Sequence, residues 1–340
     1  MPNHLIQAGI LGVGSYVPER ILTNKELEQM VDTSDEWITT RTGIRERRIA
    51  DPAVSTSDLA VRASRKALEH AGVKPEELDL IILTTCSKDM PLPAGACLVQ
   101  TELGAPQAGA FDLEAGCSGF VYGLTIASQF IATGAMKRIL VIGAEVLSRI
   151  INWQDRNTCV LFGDGAGAVV VGPVAPGEGI LASKLSAEGA GWEHLYIPAG
   201  GAKMPADPVT VEKKLHYVHM NGKEVFRYAT RVMEEESIHL IKAANLRLED
   251  IDLLIPHQAN IRIIEHAARK LKLPMEKVVV NLDRYGNTSS ASIPLALDEA
   301  VKSGRVKAGD NIVMVAFGAG LTSGGIVLKW SKGEGESNET

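Results

Sequence analysis

The sequence predicts an α/β fold made from two copies of one unit. Three observations carry that expectation: an internal repeat, a set of unbroken apolar runs, and the length of the chain. AGVKPEELDLII at 71–82 returns as ANLRLEDIDLLI at 244–255, displaced by 173 residues (71 to 244). Each copy ends a helix, turns through an acidic pair and enters an apolar run of strand length. DLEAGC at 112–117 resembles LDRYGN at 282–287, displaced by 170 residues (117 to 287). Gly134 and Gly304, each stopping a helix ahead of a buried strand, keep that 170-residue spacing (134 to 304). The runs LIILTT, ILVIGA, GAVVVG, LLIPHQ and IVMVAFG do not alternate with polar residues. Strands of that kind are buried on both faces, so helices should cover mixed or parallel sheets. At 340 residues the chain is longer than one core usually serves.

The boundary between the copies falls in PVAPGEGILA, 173–182, giving halves at 1–175 and 176–330. The polar end SKGEGESNET, 331–340, reads as a disordered tail. Thr33-x-x-Glu36 opens TSDEWITTRTGIRERR with the spacing of a capping box. GDGAGAVVVG, 163–172, has the glycines of a phosphate loop, but a strand follows where that loop needs a helix, so it reads as a turn between strands. FGAGLTSGGIVLKW, 317–330, reads likewise, with Gly318 and Gly320 able to present backbone N–H groups to an oxyanion. PAGGAKMPADPVTVEKK, 198–214, reads as a surface loop.

Composition removes several function classes. A formal charge of −6 gives no global basic field for nucleic acid. No apolar run reaches membrane-spanning length, and the start of the chain lacks the pattern of a signal peptide, so a cytoplasmic protein is expected. The four cysteines, Cys86, Cys97, Cys117 and Cys159, form no C-x-x-C pair, which argues against a zinc site, and a large chain with no export signal is not expected to rest on a disulfide framework.

Three residues stand where chemistry is expected. Cys117, in AGCSGFVYGLTIASQFIATG, lies at a strand-to-helix turn among small residues. A helix N-terminus there would favour the thiolate, and the glycines would admit a thioester arm; a buried structural cysteine is the competing reading. His257 follows a buried strand in LLIPHQANIRIIEHAARK, at the end of a sheet where α/β folds hold ligands, although the same pattern suits a structural histidine. Asn287 occupies the repeat of the Cys117 position, which would set an amide opposite the thiol; an asparagine N-cap is the plainer alternative. Around Trp37, Arg41, Arg45, Arg47 and Arg48 suit either a nucleotide-bearing ligand or a surface ion-pair network. Arg262, Arg269, Lys270 and Lys272 make a basic patch after His257, either a solvated helix face or a landing site for an acidic partner.

In that order, DEWITTRTGIRERR, the Cys117 loop, FGDGAGA, PHQANIRI and LDRYGNTS resemble the β-ketoacyl-[acyl carrier protein] synthase III family of the thiolase superfamily. The likeness runs over almost the whole chain. It implies a thiolase-like fold, two pseudo-symmetric halves with mixed sheets layered between helices, and a homodimer. The implied reaction joins an acyl-CoA primer to malonyl-[acyl carrier protein] and starts fatty acid synthesis. The resemblance makes Cys117 the acyl-accepting nucleophile, with His257 and Asn287 completing a triad. It implies coenzyme A contacts at Trp37, Arg41, Arg156 and Phe226, and a carrier-protein docking segment of Gln258, Ala259, Asn260, Ile261 and Arg262. Leu92 is implied as the residue that crosses from the partner subunit to limit the acyl pocket. Backbone N–H groups of Cys117 and Gly318 would form the oxyanion hole. Neither metal nor cofactor is expected, because the thioester is itself the electron sink and acyl-CoA is a substrate. A relative acting on another acceptor or making a polyketide, a cysteine hydrolase of acyl thioesters, and a non-catalytic binding protein remain as alternatives.

Overall fold

The computed structural model describes residues 5–331, so all but Ser331 of the expected tail lies outside the described residues. The elements that position the site begin with β1 (Ala8–Tyr16), α1 (Asp35–Thr42), α2 (Thr56–Ala71), β2 (Leu80–Thr84), β3 (Gly109–Leu113), α3 (Gly119–Ala132), β4 (Ile139–Glu145) and β5 (Gly165–Pro173). They continue with β6 (Gly179–Ala187), α4 (Gly222–Ala243), β7 (Leu253–Pro256), α5 (Ile261–Lys270), α6 (Ser292–Lys302), β8 (Asn311–Gly318) and β9 (Thr322–Lys329).

One sheet has the order β1-β5-β4-β2-β3 and the other β6-β9-β8-β7. In the first, β2 runs parallel to β3 and β4, and the pairs β4–β5 and β5–β1 are antiparallel. In the second, β7 runs parallel to β8, and β8–β9 and β9–β6 are antiparallel. Four strands therefore match one for one. Where the first sheet has β3, the second has only a parallel bridge between Leu254 and Val278.

The residues explain the layering. Every residue of β2 and β4 is buried, as the unbroken apolar runs require. Phe120, Val121 and Leu124 of α3 and Ile293, Ala296 and Leu297 of α6 form one core with Ile82 and Val141 of the first sheet and Met314 and Ile326 of the second. These two helices are the central layer. Outside the first sheet, Leu59, Ala63 and Ala67 of α2 cover Ile81 and Leu140. Outside the second, Val232 and Leu240 of α4 and Ile264 of α5 cover Leu254, Val313 and Val315. The order is helix, sheet, helix, sheet, helix.

The structure corrects several local readings. Helix α1 is capped by Ser34, whose side chain accepts from Trp37 N–H, one residue later than the Thr33 pattern suggested. The 198–214 stretch contains a short helix, Pro208–Glu212, capped by Asp207. Gly163 and Asp164 lead into β5 from an irregular segment, so 163–172 is no turn between two strands; the 318–322 turn between β8 and β9 is one. The repeat itself holds a different register at the junctions. A short 3-10 turn, Gly116–Ser118, leads into α3, and its counterpart, Ser289–Ala291, leads into α6. Both helix starts are displaced by 173 residues (119 to 292), so the counterpart of Cys117 is Ser290, and not Asn287. A one-turn helix, Leu282–Tyr285, lengthens the second copy just before its junction and carries Asn287 in on an extra loop.

Candidate active site

Cys117 is buried in the 3-10 turn ahead of α3, at the meeting of the two sheets. Two glycines make that position habitable. Gly116 has φ +53°, and a Cβ on it would stand 2.7 Å from Ala319 N. A Cβ on Gly318, at the end of β8, would stand 2.4 Å from Cys117 N. The backbone of the Cys117 turn thus lies against the backbone of the other half with no side chain between them. Burial pushes the Cys117 thiol up to about 12; the Ser289 hydroxyl opposes that shift and Glu145 adds to it. The helix start is where the sequence put it, but desolvation outweighs the dipole, so the expected lowering of the thiol pKa is reversed.

A cavity of about 150 Å³ is lined by Cys117, His257, Asn287, Phe317 and Gly318, and runs out past Phe226, Ala259 and Asn260. A second, larger cavity of about 650 Å³ borders Cys117 on its other side, with Leu147, Ile150, Phe162 and Val218 in its wall. His257 is held by its backbone N–H on Val315 O at 2.9 Å and by edge packing on Phe317 at 5.1 Å. Its Nδ1 lies 2.7 Å from Ser292 Oγ, and its Nε2 is buried without a hydrogen-bond partner among the described residues. Burial pushes the imidazole down to about 3.

Asn287 is fixed by the glycine motif that the sequence left without chemistry. Its N–H donates to Leu161 O at 2.8 Å, and its carbonyl accepts from Gly163 N–H at 3.0 Å. Gly163 is required there, since a Cβ would meet Tyr285 O at 2.3 Å. The FGDG segment is therefore a backbone shelf for the Asn287 loop. Ser289 N–H donates to Asn287 Oδ1 at 2.8 Å, which leaves the amide nitrogen as the group for a ligand.

The arginine cluster separates into different roles. Arg47 is fully buried and donates to Leu22 O, Asn24 Oδ1 and Val160 O, so it is a structural tie and not a ligand contact. Arg156 stacks on Trp37 with its guanidinium carbon 4.6 Å from the ring, and Arg41 is exposed nearby in sequence. Asn260 Nδ2 donates to Arg41 O at 3.0 Å, joining α1 to the start of α5. Arg262 is exposed and stacks on Phe226 at 5.5 Å. Gln258 departs from the docking set. Its side chain is buried, donating to Pro256 O and Val279 O and accepting from Asn281 N–H, so it braces the site from inside. Ala259, Asn260 and Ile261 are half-buried beside it. Leu92 is 85% exposed and does not line either Cys117 cavity of its own chain.

Sequence reasoning missed Ser289, Ser292 and Glu145. The run TSSAS after Asn287 was the available signal: hydroxyls crowd the start of a helix whose later turns are apolar. Glu145 gave another, a lone acid at the end of an otherwise apolar strand.

Known proteins resemble this chain in sequence and in fold. Residues 111–189 match the 3-oxoacyl-[acyl-carrier-protein] synthase III family, and 241–330 match its C-terminal region. A β-ketoacyl-[acyl-carrier-protein] synthase III of Caldanaerobacter subterraneus subsp. tengcongensis is 62% identical over 96% of this chain and 99% of its own. The 3-oxoacyl-[acyl-carrier-protein] synthase III structure from Aquifex aeolicus superposes with a TM-score of 0.88 at 50% identity, over 95% of this chain and all of that one (100%). The priming β-ketosynthase of the R1128 polyketide pathway superposes with a TM-score of 0.89 at 40% identity, covering 97% and 98% of the two chains. With a cysteine-bearing turn, an imidazole and an amide gathered on one cavity between two matching sheets, the chain belongs to the 3-oxoacyl-[acyl-carrier-protein] synthase III family of acyl-transferring condensing enzymes.

Proposed function

We propose that this enzyme condenses an acyl-CoA primer with malonyl-[acyl carrier protein], releasing carbon dioxide and giving 3-oxoacyl-[acyl carrier protein], the opening step of fatty acid synthesis. The observation that carries the reading is the 150 Å³ cavity on which Cys117, His257 and Asn287 converge, with His257 Nε2 unpartnered. Cys117, from the half at 1–175, attacks the acyl-CoA carbonyl. Backbone N–H groups of Cys117 and Gly318 stabilise the oxyanion. The carbon–sulfur bond to coenzyme A breaks, and the thiol proton leaves with coenzyme A as its free thiol. Burial holds the Cys117 thiol protonated at ordinary pH, so its proton must move as the new carbon–sulfur bond forms.

Malonyl thioester then enters and loses carbon dioxide. The electron pair of the broken bond becomes an enolate, with charge on the thioester oxygen. His257 Nε2 and Asn287 Nδ2, from the half at 176–330, donate to that oxygen. The enolate carbon attacks the acyl-cysteine carbonyl, the carbon–sulfur bond breaks, and the Cys117 sulfur leaves as a thiolate that takes a proton from solvent water to restore the thiol. A neutral imidazole suits a donor role, and burial keeps His257 neutral at ordinary pH.

In this reading Trp37 and Arg156 hold the adenine, Arg41 a phosphate, and Phe226 the pantetheine arm. Arg262 leads the carrier-docking surface, with Asn260 and Ile261 at its edge. The enzyme works as a homodimer in the cytoplasm. Two features favour the dimer: β3 is an edge strand with half-exposed Phe111 and Leu113, and Leu92 projects from the surface as a finger for the partner's acyl pocket. All four cysteines are free thiols, as a reducing compartment requires.

The test is acyl transfer followed by intact-mass and peptide mapping. One acyl group should appear on Cys117 and none on Cys86, Cys97 or Cys159. Acylation that survives in Cys117→Ala would end this assignment. Free acid released from acyl-CoA without malonyl would favour a hydrolase instead.

A further inference from the structure

We propose that Ser292 is a positioning residue for His257, its hydroxyl donating to Nδ1 and so holding the ring proton on Nε2, the nitrogen that faces the cavity. The inference rests on the condensing reading for what Nε2–H does, but the proton placement stands on hydrogen-bond accounting alone. Ser292 and His257 are both buried, and Oγ lies 2.7 Å from Nδ1. The other polar neighbour of Oγ is Gln258 N–H, at 3.5 Å, which can only donate. If Nδ1 carried the proton it would donate to Oγ, and the hydroxyl hydrogen would be buried with no acceptor among the described residues. Buried donors are rarely left in that state. If the hydroxyl donates instead, every group in the cluster is used. Nδ1 is then a lone pair and Nε2 bears the hydrogen.

The rest of the cluster holds the ring for that purpose. Phe317 packs against one edge, and the His257 backbone N–H is tied to Val315 O in β8. Nε2 is buried and meets no protein acceptor, so its hydrogen is free for an oxygen entering the cavity. Ser292 is the first residue of α6, five residues beyond Asn287. A single segment, 287–292, thus presents one donor directly and sets the second through the imidazole. A mobile tautomer would spend part of its time with an Nε2 lone pair facing the developing enolate, which repels it.

The direct test is a long-range ¹H–¹⁵N correlation spectrum of the full chain labelled at histidine, with the His257 signals assigned by their loss in His257→Gln. Wild type should show the Nε2–H pattern. An Nδ1–H pattern in wild type overturns the proposal, whether or not any Ser292 variant folds. Ser292→Ala should mix the tautomers and lower carbon dioxide release from malonyl-[acyl carrier protein] about 10-fold, short of the ~10²–10³ expected for losing a whole oxyanion donor. Acyl loading of Cys117 should stay within about twofold, because that step does not use Nε2–H. Ser292→Thr keeps the hydroxyl and should restore both the spectrum and the release rate. Unchanged release in Ser292→Ala, or an equal fall in loading and release, refutes the positioning role. A wild type that shows Nε2–H yet never decarboxylates malonyl carrier would strike the condensing reading and leave the proton placement standing.

Discussion

The two strand-to-helix junctions, 116–119 and 289–292, are copies of one structure with opposite contents. At the first, Cys117 faces the end of β8, where Gly318 has no side chain. At the second, Ser290 faces the end of β4, where the equivalent residue is Glu145, 173 positions earlier (145 to 318). The Glu145 carboxylate is fully buried. It accepts from Thr85 Oγ1, Cys86 N–H and S–H, Ser87 N–H and hydroxyl, and Ser290 Oγ. Gly143 lets this second junction close, since a Cβ there would meet Ser290 O at 2.2 Å. The duplication therefore makes two junctions of the same backbone plan. One is closed tightly on Gly318 and carries the proposed nucleophile; the other is filled by a carboxylate that accepts several hydrogen bonds and ties down the 287–292 segment through Ser290.

Crowding the first junction should have the largest effect. Gly318→Ala puts a methyl group where the Cys117 backbone lies, 2.4 Å from its nitrogen. Nucleophile and oxyanion donors would be displaced together. A lost donor costs ~10²–10³ and a misplaced group another ~10², so acyl loading should fall by ~10³ or more. The fold should survive, because the strain is confined to one turn. Mass-spectrometric loading rates with a circular-dichroism melt check both halves of that statement. Near-normal loading would mean that glycine at 318 is not what separates the junctions.

The next largest effect comes from the extra loop of the second copy. Asn287→Asp keeps an acceptor for Ser289 N–H but turns a carboxylate oxygen, in place of an amide donor, toward the enolate. Carbon dioxide release should fall by ~10²–10³ while Cys117 still accepts acyl groups. Separate measurements of loading and release decide it. Loss of loading with release intact would reverse the roles of the two halves.

The sequence made the duplication and the buried strands legible, because these are written in local patterns; local pattern left Cys117, His257 and Asn287 open between chemical and structural roles, and it was the family resemblance that singled them out together. Periodicity gave β2, β4 and β8, and glycine stops gave the helix ends. The register at the junctions was not legible. Aligning glycine to glycine matched Cys117 with Asn287, whereas the fold matches it with Ser290, because the inserted turn 282–285 moves the asparagine without moving the helix start. Environments were not legible either. A cysteine at a helix start looked activated, but its burial depends on residues such as Phe162, Ala319 and Ser289, distant in sequence. The resemblance put Gln258 in the docking segment, whereas its side chain is held from inside by Val279 and Asn281.

A smaller effect should come from disturbing the filled junction. Glu145→Gln replaces an oxygen that accepts from several donors with an NH₂ that opposes at least one of them. A buried donor left unsatisfied costs about 1–3 kcal/mol. Urea unfolding should show a loss of that size. Ser290→Ala removes one hydroxyl and should cost about 1 kcal/mol, at the lower end. Loading on Cys117 should change less than carbon dioxide release in both, because the anchor holds the Asn287 segment. If loading suffers most, Glu145 acts on the thiol directly, and the two junctions are not separate in function.

The smallest effect lies at the rim, where the two copies again differ. Helix Gly95–Leu103, which follows β2, reads GACLVQTEL and carries no cation. Its counterpart α5, which follows β7, reads IRIIEHAARK. Lys270 is drawn toward Glu234 at 3.3 Å, whereas Arg262 stands exposed over Phe226 at the mouth of the cavity. An acidic carrier protein should therefore approach over the second copy alone. Exposed charges act mainly on encounter, and their influence is screened over about 8 Å at physiological salt. Arg262→Glu should raise the apparent KM for malonyl-[acyl carrier protein] by about 3- to 10-fold. It should leave loading from a short acyl pantetheine thioester unchanged, since that substrate carries no acidic protein to steer. The wild-type advantage should shrink as salt rises and vanish near molar ionic strength, where the screening length is about 3 Å. Equal damage to carrier and pantetheine substrates, insensitive to salt, would show that Arg262 supports the cavity wall through Phe226, and the asymmetry of the two helices would then have nothing to do with the partner.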